Sequence, residues 1–438
     1  MATPADEPGQ PPNLTTLSLA EKAPAQPIEQ KITPFEVSGG VDATGKLLPV
    51  DYEKLTKHFG ATPVTDELLE RFEKVTGKRP HRFMRRGIVL SHRDLTKILD
   101  RYEKGEPFYL YTGRGPSSDS MHVGHSVPFE FTKYLQDVFD CPLIIQLTDD
   151  EKFMHSPEKL KVEDCQRFAQ ENAKDIIAIG FDPAKTFIFS DFGFMGGPFY
   201  ENVTRMATRI TINQIKGTFG FGDSNNVGEF FFCAIQSATA FATSFPHIFG
   251  TGPSVRTIPC LIPCAIDQDP YFRQCRDNAE KMKYKKPSII HSIFLPALQG
   301  PGSKMSASVD SSAIFLTDTP NQIKNKVNRF AFSGGQDTAE KQRELGGNTA
   351  VDVPFQYLTF FLEDDDELER IKKAYESGEM MTGEIKQICI KYLQEYVAGF
   401  QARRKAVTDE IRADFFDRKP LVYKGNPNPV KVEKKEKK

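Results

Sequence analysis

The segment YTGRGPSSDSMHVGH, residues 111–125, indicates the fold of this chain. It continues a short apolar run, residues 108–111, that predicts a buried strand, and it passes into helically spaced apolar residues between positions 121 and 138. A second apolar run follows at residues 143–147. Strand, helix and strand in this order predict a parallel βαβ unit with a right-handed crossover. A ligand is therefore expected in the crevice at the carboxyl ends of the strands.

The predicted start of this helix is suited to phosphate, because its backbone N–H groups lack partners and carry partial positive charge. His122 and His125 are three residues apart, so both imidazoles are expected on one face of the first turn. Gly113, Gly115 and Gly124 would let a ligand approach the backbone closely. A glycine-rich turn with surface histidines is the alternative interpretation.

A second motif, KMSAS at residues 304–308, follows a Gly-Pro-Gly sequence at residues 300–302 that gives its loop freedom to move. Lys304 can reach phosphate as a flexible point charge, and Ser306 and Ser308 add hydroxyl groups. Either motif alone would suit an ordinary surface loop. The two together, in this order, predict a site that holds a polyphosphate from two sides.

With these motifs the chain resembles the class I aminoacyl-tRNA synthetases. The segments IIQLTDDEKF, CAIDQDPYFR, PALQG and FFLEDDDELE narrow the resemblance to the eukaryotic cytoplasmic tryptophan type, and it extends over residues 86–415. The resemblance implies an α/β fold: a Rossmann-like parallel-sheet catalytic domain, a C-terminal all-helical anticodon-binding domain and a small N-terminal appended element. It also implies activation of L-tryptophan with ATP to the adenylate and pyrophosphate, then transfer to tRNA(Trp).

The domain organisation predicted from composition, periodicity and this resemblance has five parts. A disordered Pro-rich extension at residues 1–45 precedes the appended helix and strand element at 46–105. The catalytic domain follows at 106–318, with an inserted dimerisation segment at about 155–250. The helical domain at 319–424, whose last helix is a candidate to pack back on the catalytic domain, is followed by a charged tail at 425–438.

The resemblance implies roles for individual residues. Catalysis is expected from His122, His125, Lys304, Ser306 and Ser308. ATP binding is expected from Thr112, Gly113, Arg114, Gly115, His122, Gly124, His125, Ala265, Ile266, Lys304, Met305 and Ser306. ATP is expected as a complex with Mg²⁺, with no metal ligand from protein side chains.

Recognition of tryptophan is carried over in the same way. Tyr111 and Gln146 are expected to bind the indole N–H, and Glu151, Gln236 and Gln268 to hold the α-amino and carboxylate groups. Indole has one donor and no acceptor, so acceptor oxygens suit it. Ordinary strand packing is the alternative for Tyr111, and is less suited to a polar residue such as Gln146 in an apolar strand.

Contacts with tRNA are predicted at two places. Residues 78–86 form a basic cluster, of which Arg85 and Arg86 are the candidates for phosphate contact; solvated surface charge is an equally good interpretation. In the loop at residues 333–337, Asp337 is a candidate acceptor for a cytosine amino group. Gln336 stands where arginine is expected in the animal members of the family.

Composition limits the remaining possibilities. The net charge of −2 gives no global field for nucleic acid, so RNA must be bound by local patches, and no DNA partner is expected. The seven cysteines are scattered without a CxxC pair, which excludes a typical zinc site and suits a reducing compartment. No run of about eighteen apolar residues predicts a membrane span.

The N-terminal residues also lack an apolar signal core, and the first arginine is Arg71, so a cytoplasmic protein is predicted. The phenylalanine-rich segment at residues 229–249 fits a buried core, and by resemblance a homodimer interface.

Two other functions remain open from the sequence. One is a class I synthetase for tyrosine, which would share the fold and motifs. The other is a synthetase-like protein that binds nucleotide or RNA without activating an amino acid, against which both intact motifs argue. An additional signalling role is not required by any feature. Amino-acid-dependent exchange of pyrophosphate into ATP separates the tyrosine enzyme and the non-activating binding protein from the tryptophan enzyme.

Overall fold

The computed structural model describes residues 29–34, 37–40, 42, 48–305 and 309–423, with backbone alone for residues 301, 303 and 304. The strands are β1 (Lys31–Ile32), β2 (Val37–Ser38), β3 (Thr62–Pro63), β4 (Val89–Arg93), β5 (Tyr109–Arg114), β6 (Leu143–Leu147), β7 (Thr186–Ser190), β8 (Cys260–Ala265), β9 (Ser288–Ser292), β10 (Pro296–Ala297) and β11 (Gly300–Lys304).

The α-helices of the described residues are numbered in chain order. They are α1 (Tyr52–Phe59), α2 (Asp66–Thr76), α3 (Arg82–Arg85), α4 (Leu95–Glu103), α5 (Val123–Phe139), α6 (Asp149–His155), α7 (Val162–Ile177), α8 (Asp191–Phe194), α9 (Gly197–Ala207), α10 (Ile212–Phe219), α11 (Val227–Ala238), α12 (Pro246–Phe249), α13 (Asp269–Ala279), α14 (Pro320–Phe330), α15 (Ala339–Leu345), α16 (Val353–Phe361), α17 (Asp365–Glu376), α18 (Thr382–Lys405) and α19 (Asp409–Phe416).

The central sheet has seven strands in the order β3-β4-β9-β8-β5-β6-β7. The five strands from β9 to β7 are parallel, and β4 and β3 extend the sheet antiparallel at one edge. The chain first builds outward from β5 through β6 to β7, then returns to place β8 on the other side of β5. The crevice between the carboxyl ends of β5 and β8 is therefore the topological switch point, where ligands of such sheets bind. The predicted α/β fold is confirmed.

The strands form where the sequence is continuously apolar. All five residues of β6 and of β7 are buried, as is usual for parallel strands covered by helices on both faces. The predicted strand at residues 143–147 coincides with β6. Helix α5 begins immediately after His122 and ends at Asp140, which takes the left-handed conformation with φ 49°. The predicted βαβ unit therefore places the first motif at the end of β5.

Two short strands, β1 and β2, lie within the extension that the sequence analysis predicts to be disordered. There, β1 and β2 join β11 and β10 in a four-stranded antiparallel sheet, in which Ser303 pairs with Ser38. Strands of two residues are too short to produce a periodic pattern, and their partner lies some 265 positions away. Residues 1–28 of the extension and the tail from residue 424 lie outside the described residues.

The helical C-terminal part contacts the catalytic part through α18 and α19. Arg404 on α18 donates to Glu171 Oε2 on α7 at 2.9 Å and also pairs with Asp175 on the same helix. Helix α19 packs against α7 and β7. The domain boundaries themselves stay predictions.

The phenylalanine-rich segment lies mainly in the core. Phe232, Phe241, Phe245 and Phe249 are buried in a cluster beneath the sheet that also contains Tyr111. All seven cysteines are thiols and six are buried. Within the described ranges, no helix is both long enough and apolar enough to cross a membrane.

Candidate active site

A cavity of about 290 Å³ opens at the switch point between β5 and β8. Its wall combines the glycine-rich loop after β5, the start of α5, the end of β8 and the segment after β9. The predicted residues on its wall are Thr112, Gly113, Arg114, Gly115, His122, Gly124, His125, Glu151, Gln236, Ala265, Gln268 and Met305. The structure therefore brings together residues that are up to 193 positions apart in the sequence.

The two histidines of the first motif stack on each other at the start of α5. Their ring centroids are 3.4 Å apart with 19° between the planes. The backbone N–H of His122 donates to Nδ1 of His125 at 3.3 Å, which leaves the proton of a neutral His125 ring on Nε2. A protonated Nε2 is a donor suited to phosphate oxygens. Both rings lie on one face of the first turn, as predicted.

The two motifs meet at Gly124. A Cβ there would lie 3.1 Å from His122 Nδ1 and 3.2 Å from Met305 Sδ, so a larger side chain would separate them. The backbone of Lys304 ends β11, and Met305 comes directly after it on the cavity wall. The side chain of Lys304, and Ser306 and Ser308 entirely, lie outside the described residues.

Arg114 is a cation at the edge of the cavity, and its guanidinium group has an N–H that makes no hydrogen bond among the described residues. Its Nε donates to Asn172 Oδ1 at 3.3 Å, and its buried Nη2 has no partner among the described residues. Burial lowers the pKa of Arg114 to about 10, and the arginine remains charged at neutral pH. A buried guanidinium N–H beside the helix start fits a nucleotide phosphate.

Among the predicted ATP-binding residues whose side chains are described, Ile266 is the one that does not line the cavity. Its side chain is fully buried and packs with Val50 and Leu55 in a small apolar cluster. Thr112 is buried on the wall and donates to Pro263 O at 3.4 Å, linking β5 to β8.

Glu151 supplies negative charge at the other end of the cavity. Burial raises its pKa, but Lys152, His155 and a hydrogen bond from Thr148 outweigh burial and leave the pKa below its ordinary value. The carboxylate is therefore ionised at neutral pH and suits an α-ammonium group. Gln236 and Gln268 line the same cavity.

Tyr111 and Gln146 lie one layer behind the cavity wall. Both side chains are fully buried, and Tyr111 Oη donates to Gln146 Oε1 at 2.6 Å. The amide of Gln236, on the wall, donates to Tyr111 Oη. The ring of Phe272, also on the wall, meets Tyr111 edge to face at 5.7 Å. An indole reaches this pair only if Gln236 moves aside.

Arg85 and Arg86 face the helical domain in this structure. Arg86 donates to Asp365 at 2.8 Å and to the carbonyls of Thr359 and Leu362 at 2.9 and 2.7 Å. Arg85 donates twice to Asp365, at 3.0 and 2.6 Å. These hydrogen bonds connect the end of α3 to the end of α16 and the start of α17, so both guanidinium groups have partners within the protein. Their contact with tRNA stays a prediction.

The double change of Arg85 and Arg86 to alanine separates the two interpretations. If the internal bonds are the role of both guanidinium groups, the salt dependence of tRNA binding stays the same while the free energy of unfolding falls by about 1–3 kcal/mol, and this is the result that we expect. Binding is measured as log Kd against log salt, and stability by urea unfolding. Lys78→Ala, an exposed charge of the same cluster, is the control. A slope shallower by about 0.9 per arginine would instead establish phosphate contact.

The loop at residues 333–337 is held by side chains around it. Asp352 accepts from the N–H of Gly334 at 2.9 Å, and Gln336 Nε2 donates to Gly346 O at 2.9 Å. Asp337 is exposed. Its base contact stays a prediction.

Several residues of the cavity wall were missed by sequence reasoning. Phe232 lies four residues before Gln236 on α11 and Phe272 four after Gln268, so helical spacing was a usable signal for both. Pro34 reaches the wall from the N-terminal strands, and no local pattern predicts this.

The comparisons with known proteins agree with this geometry. The family described as tRNA synthetases class I (W and Y) matches residues 103–397. The cytoplasmic tryptophan–tRNA ligase of Schizosaccharomyces pombe is 59% identical over 388 residues, covering 89% of this chain and 97% of that protein. The Saccharomyces cerevisiae protein of the same name is 57% identical over 395 residues, covering 90% of each chain.

A solved structure shows the same likeness in three dimensions. The crystal structure of Plasmodium falciparum tryptophanyl-tRNA synthetase superposes with a TM-score of 0.78 at 45% identity, covering 86% of this chain and 96% of that one.

Proposed function

This chain belongs to the class I tRNA synthetase family of tryptophan and tyrosine enzymes, and from that membership we propose that it is a tryptophan–tRNA ligase of the cytoplasm. It activates L-tryptophan with ATP and transfers the amino acid to the 3′ end of tRNA(Trp). The high identity over most of the chain to proteins of that name supports the substrate.

In the first step, a carboxylate oxygen of tryptophan bonds to the α-phosphorus of ATP, and the bond from that phosphorus to the bridging oxygen breaks. Pyrophosphate leaves with the electron pair, and tryptophanyl-adenylate remains. Little covalent work falls to the protein, so catalysis rests on positioning and on stabilising charge that develops on the phosphates. His122, His125 and Lys304 are assigned to that stabilisation, and Arg114 to binding phosphate.

In the second step, the terminal adenosine of tRNA attacks the adenylate carbonyl and AMP leaves. Mg²⁺ is assigned to the ATP substrate, held by its phosphate oxygens. The described residues contain no group of three His, Cys, Asp or Glu side chains arranged to hold a metal ion.

The observation that carries this assignment is the meeting of the two motifs across one cavity, through Gly124 and Met305. The test is amino-acid-dependent exchange of labelled pyrophosphate into ATP, with all twenty amino acids assayed separately. Exchange with tryptophan alone is expected. Exchange with tyrosine would keep the ATP site and overturn the roles of Tyr111 and Gln146; no exchange would remove the catalytic assignment.

Replacing Gln146 with alanine tests the tryptophan pocket. We expect KM for tryptophan to rise about ten- to a hundredfold while KM for ATP changes little, because the variant loses an acceptor and leaves Tyr111 and Asp191 without their partner. Both constants are measured by pyrophosphate exchange. Gln299→Ala is the control, since Gln299 is exposed and donates to Ser311. A larger rise in KM for ATP would contradict the role.

A homodimer is part of this proposal. The insertion exposes large apolar side chains on successive helices: Tyr200 is 45% exposed, Ile212 61% and Val227 83%. Exposed apolar surface of this kind marks an interaction site. The molar mass in solution, measured by light scattering, tests it.

A further inference from the structure

A buried carboxyl group, Asp191, lies directly behind the tryptophan pocket. It is the first residue of α8, and parallel pairing of β6 with β7 sets it beside Gln146. Both oxygens of Asp191 accept from Gln146 Nε2, at 2.8 and 3.0 Å. The side chain is fully buried. Burying a carboxyl group is unfavourable unless its partners are well placed, so its contacts require an explanation.

The contacts of Asp191 determine the direction of every hydrogen bond that follows. Because it accepts from Gln146 Nε2, the carbonyl oxygen of Gln146 must face the opposite way. There Oε1 accepts from Tyr111 Oη at 2.6 Å and from Thr239 Oγ1 at 2.9 Å. Tyr111 has thereby used its only hydroxyl proton, and its oxygen can only accept from another group. It does accept in this structure, from the amide of Gln236 on the cavity wall.

The protonation state of Asp191 is compatible with this direction of the hydrogen bonds. Burial raises its pKa, and the neighbouring carboxyl of Asp150, to which it is hydrogen-bonded, raises it further. A proton on either carboxyl can be donated to the other carboxyl of the pair. An oxygen of Asp191 is therefore ready to accept from Gln146 whichever of the pair is ionised. Burial also raises the pKa of Tyr111 well above its ordinary value, which keeps the phenol proton that Gln146 accepts.

We propose that Asp191 is a positioning residue for tryptophan recognition: it orients the Gln146 amide so that Tyr111 Oη presents an acceptor to the indole N–H. This inference rests on the proposed function. The indole N–H would take the place on Tyr111 Oη that Gln236 Nε2 occupies here, and Gln236 would turn toward the α-amino end. Asp191 itself never touches the substrate; it acts through two intervening side chains.

The test compares tryptophan with 3-(1-benzothiophen-3-yl)alanine, in which sulfur replaces the indole N–H. The wild type should prefer tryptophan in kcat/KM by at least about a hundredfold, because the analogue leaves the acceptor unpaired. In Asp191→Leu no group at this position can accept from Gln146 Nε2, which lets the Gln146 amide turn over. We expect kcat/KM for tryptophan to fall about ten- to a hundredfold, while the analogue changes less than about threefold. KM for ATP should stay the same.

The matched control is Asp150→Asn, which changes a buried carboxyl of the same pair. Its amide can donate to Asp191 and leave that carboxylate an acceptor, so the preference for tryptophan should survive. If Asp191→Leu is not recovered folded, as judged by its thermal unfolding midpoint, Asp191→Ala also removes the acceptor and should show the same fall.

The outcomes separate this proposal from the function it rests on. Equal losses for tryptophan and the analogue in Asp191→Leu would show a structural role only and overturn the inference. A wild type that accepts both substrates equally would overturn indole N–H recognition by Tyr111. A wild type without tryptophan-dependent exchange would overturn the proposed function itself.

Discussion

Lys304→Ala is expected to reduce kcat of tryptophan-dependent pyrophosphate exchange about 100- to 1000-fold, the loss typical of one preorganised charge contact in a transition state. The backbone of Lys304 ends β11, and Met305 packs on Gly124 beside the two histidines. The lysine is thus attached where a flexible ammonium group can follow the phosphates as charge moves onto the leaving pyrophosphate.

The division of the effect between kcat and KM decides whether this role is correct. A contact that strengthens in the transition state lowers kcat and leaves KM for ATP nearly the same. Both are measured by steady-state exchange over a range of ATP concentrations. Lys324→Ala, which removes an exposed lysine on α14, should behave as wild type. An effect of Lys304→Ala confined to KM would contradict a role in the chemical step.

Asp269→Asn is expected to lower the free energy of unfolding by about 3–5 kcal/mol, the usual result of removing one partner from a buried ion pair. Asp269 is fully buried at the start of α13 and accepts from Arg93 through two bonds, at 2.7 and 2.8 Å. His291 Nε2 lies 2.9 Å from the same carboxyl. The neutral amide would leave the Arg93 charge buried without compensation.

The pH dependence provides a second readout of this carboxyl group. Burial acts to raise the pKa of Asp269, but hydrogen bonds and charge from His291 and Arg93 outweigh it and hold the pKa well below its ordinary value. A carboxyl with a depressed native pKa stabilises the fold above the pKa of the unfolded chain, near 4. That contribution is lost as pH falls below about 4, through the native pKa. The difference between wild type and Asp269→Asn should therefore be full at neutral pH and shrink in acid.

Urea unfolding at a series of pH values measures both effects. Asp277→Asn, an exposed aspartate on the same helix, is the control and should change stability by less than about 0.5 kcal/mol. A loss below about 1 kcal/mol at pH 7 for Asp269→Asn would show that water or rearrangement compensates Arg93.

The local sequence was sufficient to predict structure where a residue pattern repeats within one helix or strand. The strand at residues 143–147, the helix that begins after His122 and the placement of the two histidines on one face follow from apolar spacing and from a separation of three residues. Resemblance in the numerous motifs supplied the family, because each motif has a defined residue type and order. The function was therefore accessible before any coordinate.

Only the tertiary structure decided which distant residues share a contact. It placed Pro34 on the cavity wall through strands too short to predict, turned Arg85 and Arg86 inward onto Asp365, and buried the Ile266 side chain in a small apolar cluster. It also joined Asp191 to Gln146 across two parallel strands. Such contacts depend on strand order and helix packing between segments far apart in the chain. Residue type specifies which hydrogen bonds a side chain can make, but the partner is selected only when the fold brings the elements together.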